Sequence, residues 1–273
     1  MNILFWNTNR KNPENITACL CELLLENAVD LLILAEYPNE TQALCETINK
    51  ISLTAQYKII PTIKKSAPIK AIIRAKYTIN PLQEESRYQL VQISQNANRL
   101  IIAMIHGKDK HNNDDLTQLE IISDFRRDII ENENRLKCKH SLAIGDFNVN
   151  PFDAASFATS GMHALPFASL LARPTRTVNK KTHQKFYNPT WQLFANKSPP
   201  HTSYYFDNSG QAQNLYWYAL DQVIVSKGLI NHFEDVKIIA KTKNHDLLAN
   251  GKPNKKIYSD HLPLFCRLKE DFI

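Results

Sequence analysis

The chain has 273 residues, 43% of them hydrophobic and 22% charged, which suits one large α/β domain or two small ones and excludes a disordered chain. No apolar run reaches the roughly 18–20 residues that cross a bilayer, and the N-terminal stretch Met1-Asn2-Ile3-Leu4-Phe5-Trp6-Asn7 has neither the basic start nor the length of a secretory signal. A cytoplasmic protein with no membrane partner is therefore expected, carrying a net charge of +6 that is modest but unevenly spread.

Residues 3–6 read as a short apolar strand ending in Asn7-Thr8-Asn9, where side-chain oxygens recur at alternate positions. Residues 15–26 carry Ile16, Leu20, Leu23 and Leu24 at helical spacing, behind a start at Asn12-Pro13. Leu31-Leu32-Ile33-Leu34 is a continuous apolar run of buried-strand type that stops at Glu36. Residues 41–51 are predicted helical, and strands follow near 57–60, 71–73, 88–93 and 100–105, the last ending at His106. Residues 114–133 form the clearest predicted helix: Leu116, Leu119, Ile122, Phe125 and Ile129 share one stripe, and Asp114 and Asp115 suit its N-terminus. Residues 141–144 feed Gly145-Asp146-Phe147-Asn148, and on an extended chain Asp146 and Asn148 would project to the same side. A loop-rich stretch follows. Strands are then predicted near 223–225, 236–239 and 264–268, with Asp221 heading the first and Ser259-Asp260-His261 preceding the last. No repeat or Gly/Ser linker divides the chain, so residues 1–273 are read as a single domain with helices packed outside β-sheets.

Charge is patterned. Between residues 47 and 83 there is no acid, while Lys50, Lys58, Lys64, Lys65, Lys70, Arg74 and Lys76 occur. Between 173 and 218 Asp207 is the only acid beside Arg173, Arg176, Lys180, Lys181, Lys185 and Lys197, and Lys252, Lys255 and Lys256 crowd the approach to Asp260. Basic connections around acidic strand ends suit a polyanionic substrate whose phosphate meets a metal, although each run alone fits solvated surface equally well. The 173–218 stretch also holds Tyr204, Tyr205 and Trp217, candidates for stacking on bases. The five cysteines (Cys19, Cys21, Cys45, Cys138, Cys266) are odd in number and scattered, as buried free thiols would be.

Strand after strand ends in a residue able to hold metal or phosphate: Asn7, Glu36, His106, Asp146 with Asn148, Asp221, and Asp260-His261. One such residue is an ordinary turn former. Six in a chain with only 6 glycines are hard to assign to turn chemistry, and strand ends on one sheet edge converge in space.

In order and spacing these motifs resemble the endonuclease/exonuclease/phosphatase superfamily, the metal-dependent phosphoesterases typified by pancreatic-type deoxyribonuclease. The matching pieces are Leu4-Phe5-Trp6-Asn7, Asp30 to Glu36, Ile105-His106, Gly145-Asp146-Phe147-Asn148, Leu220 to Ser226, and Ser259-Asp260-His261-Leu262-Pro263-Leu264. The resemblance implies a four-layer α/β sandwich, two mixed β-sheets packed face to face with helices outside. It implies Glu36 as principal ligand of Mg²⁺ (Mn²⁺ able to substitute), with Asn7 beside it and Asp260 within reach. Asp146 would activate water, Asn148 hold a phosphate oxygen, and His261 contact the scissile phosphate, oriented by Asp221. His106, followed by Gly107-Lys108, leans toward the deoxyribonuclease branch, whereas abasic-site endonucleases place Tyr there; Asn9 likewise stands where that branch has Asp. Lys108 and Asn9 are further candidates for substrate contact.

The reaction expected is Mg²⁺-dependent hydrolysis of a phosphodiester, with DNA or RNA as the leading partner. Two other readings remain open on sequence: a phosphatase or phosphodiesterase acting on inositol phosphates or other small phosphoesters, and an inactive nucleic-acid-binding module on the same fold.

Overall fold

Neighbouring residues of the first strand part company: Ile3 and Phe5 enter one apolar cluster, while Leu4 and Trp6 enter another. That period of two marks a sheet buried on both faces. The structure, a computed structural model, describes residues 1–11, 13–38, 40–52, 55–63, 68–110, 112–210, 212–269 and 272–273, apart from the side chain of residue 13. The expected helix start at Asn12 and the lysines Lys64 and Lys65 lie outside the described residues.

In chain order the elements are β1 (Asn2–Asn7), α1 (Pro13–Glu26), β2 (Leu31–Ala35), α2 (Thr41–Ile51), β3 (Tyr57–Ile59), β4 (Ile69–Arg74), β5 (Thr78–Glu84), β6 (Tyr88–Gln95), β7 (Asn98–His106), α3 (Asp115–Arg135) and β8 (Ser141–Asp146). There follow α4 (Ala154–Phe157), β9 (Ala164–Leu165), β10 (Thr175–Val178), β11 (Lys181–Gln184), β12 (Phe186–Tyr187), β13 (Tyr204–Tyr205), β14 (Trp217–Tyr218) and β15 (Asp221–Val225). The chain finishes with β16 (Phe233–Ile238), β17 (Leu248–Ala249), β18 (Lys252–Pro253) and β19 (Leu264–Leu268).

Two mixed sheets result, ordered β16-β19-β1-β2-β4-β3 and β5-β6-β7-β8-β15-β12-β9. The parallel pairs β1–β2 in the first sheet and β7–β8 in the second are each joined by a helical crossover, α1 or α3, and β9–β12 is a further short parallel pair at the second sheet's edge. The inner faces meet through Ile3, Phe5 and Ile33 on one sheet and Val91, Ile102, Met104 and Ile144 on the other. Leu20 and Leu23 of α1 cover the first sheet's outer face at Leu4, Trp6 and Leu34. Phe125 and Ile129 of α3 cover the second sheet's outer face at Leu90, Ala103 and Ile105. The four-layer sandwich is the expected one.

Two regions differ from the sequence reading. β5 has no counterpart in it, because Pro81 offers no N–H and a register shift between Pro81 and Gln83 breaks the alternation; both are tolerated only on an edge strand, which β5 is. Residues 173–218 are not one long loop. They contain the exposed β10–β11 ribbon, the sheet strand β12 and the β13–β14 ribbon.

Register is what positions the polar strand ends. His106 pairs with Asp146 across β7–β8, and Asp146 pairs with Asp221 across β8–β15, so three of them sit abreast at one end of one sheet. In the facing sheet Asn7 pairs with Ala35, which puts Glu36 one step beyond. Among the described residues no helix is long and apolar enough to cross a membrane.

Candidate active site

These ends enclose a polar cleft of about 280 Å³. Its floor is built on Gly145. A Cβ there would lie 1.9 Å from the Ile105 carbonyl oxygen, so only glycine lets β8 run this close to β7 just before Asp146. The strand stops at Asp146 and Asn148 adopts a left-handed φ of 54°. Asp146 and Asn148 therefore meet through a turn and not through the strand alternation expected from sequence. The turn is held by the Asn148 N–H donating to Asp146 Oδ1 at 2.8 Å and by Asn148 Nδ2 donating to the Gly107 carbonyl at 3.2 Å.

On the opposite wall Asn7 Nδ2 donates to Asp146 Oδ2 at 3.0 Å, while Asn7 Oδ1 accepts from the Asn9 N–H at 3.0 Å. Glu36 also has a left-handed backbone, φ 51°, and its carbonyl is pinned by Thr8 Oγ1 at 2.9 Å and the Arg10 N–H at 3.0 Å. Such a conformation costs of order 1 kcal/mol. The Glu36 carboxylate lies 3.4 Å from His106 Nε2 and 3.4 Å from Arg10 Nε. The His106 contact, with help from Arg10 and Asn7, holds it below the usual carboxylate range against the opposing effect of burial.

The third wall is a buried Asp–His–Asp row. His261 Nδ1 lies 2.9 Å from Asp221 Oδ2, and Nε2 lies 4.0 Å from Asp146 Oδ2. The imidazole backbone is fixed by Trp6 Nε1, which donates to the His261 carbonyl at 2.8 Å, and by Ser259 Oγ, which accepts from the His261 N–H at 3.1 Å. Burial alone would lower the His261 pKa. The charge and hydrogen bond of Asp221, joined by Asp146 and Asp260, outweigh it and raise the imidazole to about 10. Burial likewise pushes Asp221 up and His261 opposes it, so the pair is read as an imidazolium beside a carboxylate. Tyr204 roofs this row, its ring centroid 4.6 Å from that of His261, and its hydroxyl is pushed up to about 12 by burial and by Asp260 and Asp146. It stays protonated.

Two sets of residues could hold a cation. Asp146, Asp221 and His261 each offer an atom within 4.8 Å of the others. An imidazolium whose Nδ1–H faces Asp221 is a donor and not a ligand, which argues against that set. Asn7, Glu36 and Asp260 offer only oxygens, line the same cleft and include a carboxylate held ionised, which is the donor chemistry of Mg²⁺. Asp260 Oδ1 accepts from Asn9 Nδ2 at 2.8 Å, which ties this group to the Asn7 loop.

Of the residues singled out in the sequence, the structure brings Asn7, Asn9, Glu36, His106, Asp146, Asn148, Tyr204, Asp260 and His261 to the cleft, with Asp221 directly behind. Lys108 does not line it; its carbonyl accepts from Gln118 Nε2 at 2.7 Å. Tyr205 and Trp217 pair on the ribbon and so point away from the face that carries Tyr204 and Tyr218. Trp217 packs against the core, and Lys252 Nζ sits 4.5 Å from the Tyr205 ring centroid. Arg10, Arg87 and Asp109 line the cleft and were not singled out. Arg10 adjoins the Asn7 motif and could have been read from it. Arg87 sits in the turn before β6, and its carbonyl accepts from the His106 N–H at 2.9 Å, a placement visible only from the hairpin register.

No family model and no curated protein matches the chain. Solved structures share its architecture. D. rerio TDP2 complexed with a single-strand DNA product is 15% identical with a TM-score of 0.56, covering 98% of both chains. An endonuclease/exonuclease/phosphatase family protein from Leptotrichia buccalis is 14% identical with a TM-score of 0.58, over 98% of this chain and 99% of that one. The 3'-5' exonuclease NExo from Neisseria meningitidis is 14% identical with a TM-score of 0.55, over 98% of this chain and 100% of that one.

Proposed function

Starting from the endonuclease/exonuclease/phosphatase fold that these comparisons establish, we propose that the chain is a metal-dependent nuclease, hydrolysing internal phosphodiester bonds of nucleic acid in the cytoplasm. The observation that carries the reading is the row Asp146–His261–Asp221 facing Glu36 across one cleft: a proton acceptor and a proton-bearing cation on one side, an ionised oxygen ligand on the other. The D. rerio TDP2 structure with its single-strand DNA product favours DNA over RNA. Five free cysteines suit a reducing compartment.

Asp146, with one oxygen held by Asn7 Nδ2 and the other by the Asn148 N–H, presents its remaining lone pairs to the cleft and takes the proton of the attacking water. The 4.0 Å between Asp146 Oδ2 and His261 Nε2 leaves both groups free to face a substrate. His261 donates an Nε2–H hydrogen bond to a phosphoryl oxygen as charge builds there, and Asp221 keeps the ring charged and oriented. As the water oxygen bonds to phosphorus the scissile P–O bond breaks, and the departing oxygen takes its proton from solvent water. Asn148 keeps a second amide hydrogen for a neighbouring phosphoryl oxygen. A divalent ion, Mg²⁺ or Mn²⁺, held by Glu36, Asn7 and Asp260 would supply the positive charge that offsets the charge developing in the transition state.

The test is a cleavage panel in Mg²⁺ and in Mn²⁺ over single- and double-stranded DNA and RNA and over phosphoinositides, with Asp146→Asn as control. Internal cleavage of DNA that disappears in the variant is the expected result. Intact nucleic acid with phosphate released from phosphoinositides would move the site to the small-phosphoester reading, and no turnover of any substrate would remove the enzymatic one.

A further inference from the structure

The end of the second sheet opposite the cleft is strongly basic, and the cations come from four separated segments. Ser141, five residues before Asp146 on β8, puts this end ~17 Å from the cleft along the strand. Arg99 opens β7, Lys137 and Lys139 lie between α3 and β8, and Lys227 follows β15, all exposed and all at that end by strand register. The β10–β11 ribbon joins them. It is exposed, and Arg173, Arg176, Lys180 and Lys181 project from it or its base. None of these side chains is in an ion pair among the described residues. Among the described residues the side-chain acids at this end of the molecule, Glu26, Asp30, Glu234 and Asp235, belong to the other sheet or its helix, and Glu131 is the exposed acid on the adjoining turns of α3.

The ribbon is rigidly seated. Gln184 at its base donates from Nε2 to the buried Glu133 at 2.8 Å, and the Gln184 carbonyl lies 2.9 Å from His163 Nδ1 and 3.3 Å from Arg126 Nη2. Glu133 in turn accepts from Ser141 Oγ. A buried polar network of this kind at the foot of an exposed arm fixes its direction. The arm itself carries Thr175, Arg176, Thr177, Lys181, Thr182 and His183, its turn is Asn179-Lys180, and Val178 is its single apolar residue, which suits a polar groove and does not suit a bilayer.

We propose that this end is a second nucleic-acid surface, separate from the cleft, in which the β10–β11 ribbon enters the major groove of duplex DNA and Arg99, Lys137, Lys139 and Lys227 meet the flanking phosphates. The B-form major groove, ≈12 Å wide, admits a two-stranded ribbon; that of A-form RNA is too narrow for its side chains. A duplex resting here cannot also lie in the cleft, so the surface tethers the protein to DNA while another segment or strand end reaches the site. It stands or falls independently of the hydrolytic reading, because binding is measured without turnover.

The experiment uses the full chain carrying Asp146→Asn and a fluorescent 20-base-pair DNA duplex, with binding followed by anisotropy across a salt series. In the same background Lys139→Gln, Arg176→Gln, Lys180→Gln and Lys181→Gln together should weaken binding at least tenfold. They should also flatten the slope of log affinity against log salt by about 1, at ≈0.9 for the phosphate that Lys139 leaves without its cation. An unchanged thermal midpoint shows that the variant folds, and with Asp146 restored its turnover of a dinucleotide substrate should match that of the parent chain. Equal affinity and slope in parent and variant would overturn the proposal. So would tighter binding of the parent to phosphatidylserine vesicles or to duplex RNA than to DNA.

Discussion

Alanine at position 145 is the sharpest single test of how the cleft floor is built. Its Cβ would sit 1.9 Å from the Ile105 carbonyl oxygen, 2.8 Å from the carbonyl carbon and 2.9 Å from the Ile105 nitrogen, at a φ of +152° that L-residues rarely adopt. Ordinary contact begins near 3.4 Å, so the strands must separate by about 1.5 Å. Every clashing atom is main chain of β7, a central strand in register with Gly145 itself, and no rotamer change relieves it. The expected destabilisation is about 3 kcal/mol. For a chain of this size that lowers the melting midpoint by roughly 6–12 °C. Gly210→Ala is the matched control, since its nearest neighbour would be the Asn208 side chain at 3.9 Å and the change should stay within about 0.5 kcal/mol. Thermal and urea unfolding of both variants decide the matter. If Gly145→Ala melts with the parent chain, the close approach of β7 and β8 is not what places Asp146.

Asp221→Asn keeps the shape of its site but removes the charge that keeps His261 protonated; single-turnover rates on DNA should fall by ~10²–10⁴, and an unaltered rate would deny His261 its assigned proton. Glu36→Gln removes the carboxylate at the candidate cation position while Asn7 and Asp260 remain; Mn²⁺ affinity measured by calorimetry should fall at least tenfold, and an unchanged isotherm would move the cation elsewhere. Glu22 is held at about 2 by hydrogen bonds from Thr242 and Asn244, with His245 assisting. A folded-state pKa below the unfolded value means that the stabilisation is fully present above about pH 4.5 and is lost as pH falls toward 2. Glu22→Gln should therefore melt earlier than the parent at pH 7, with the gap closing across that window; a gap independent of pH would show that the carboxylate's ionisation does not matter there.

The parts of the site legible in sequence are those where a strand and its terminal polar residue are contiguous: Trp6-Asn7, Ala35-Glu36, Ile105-His106, Gly145-Asp146 and Asp260-His261. An apolar run followed by an oxygen or nitrogen ligand is a local signal; helices packed outside β-sheets follow from the pattern of elements, and the four-layer order from the family resemblance those motifs carry. What was not legible depends on pairings between distant segments. Arg87 reaches the cleft because β6 pairs with β7, and nothing beside it in the chain reports that. Tyr205 and Trp217 share composition with Tyr204 but fall on the other face of a two-stranded ribbon whose register no short-range pattern announces. The 173–218 stretch looked uniformly like a substrate loop because its charge is uniform. The structure divides it, sending β13–β14 to the cleft and β10–β11 to the opposite end. Edge strand β5 was hidden by its proline.

The indole of Trp6 bonds to the carbonyl of His261 across 255 residues, and β1 lies between β2 and β19. Asn7 and Glu36 thus come from the first strands, and Asp260 and the proton-bearing imidazole from the segment that leads into the last. A chain cut short between β15 and Asp260, by a stalled ribosome or a protease, keeps Glu36, Asp146 and Asp221 but has neither Asp260 nor His261 and leaves β1 with a bare edge. For an enzyme of the kind proposed, completeness of synthesis is itself the safety catch: the nucleic acids that surround the nascent chain meet a fragment that cannot cut.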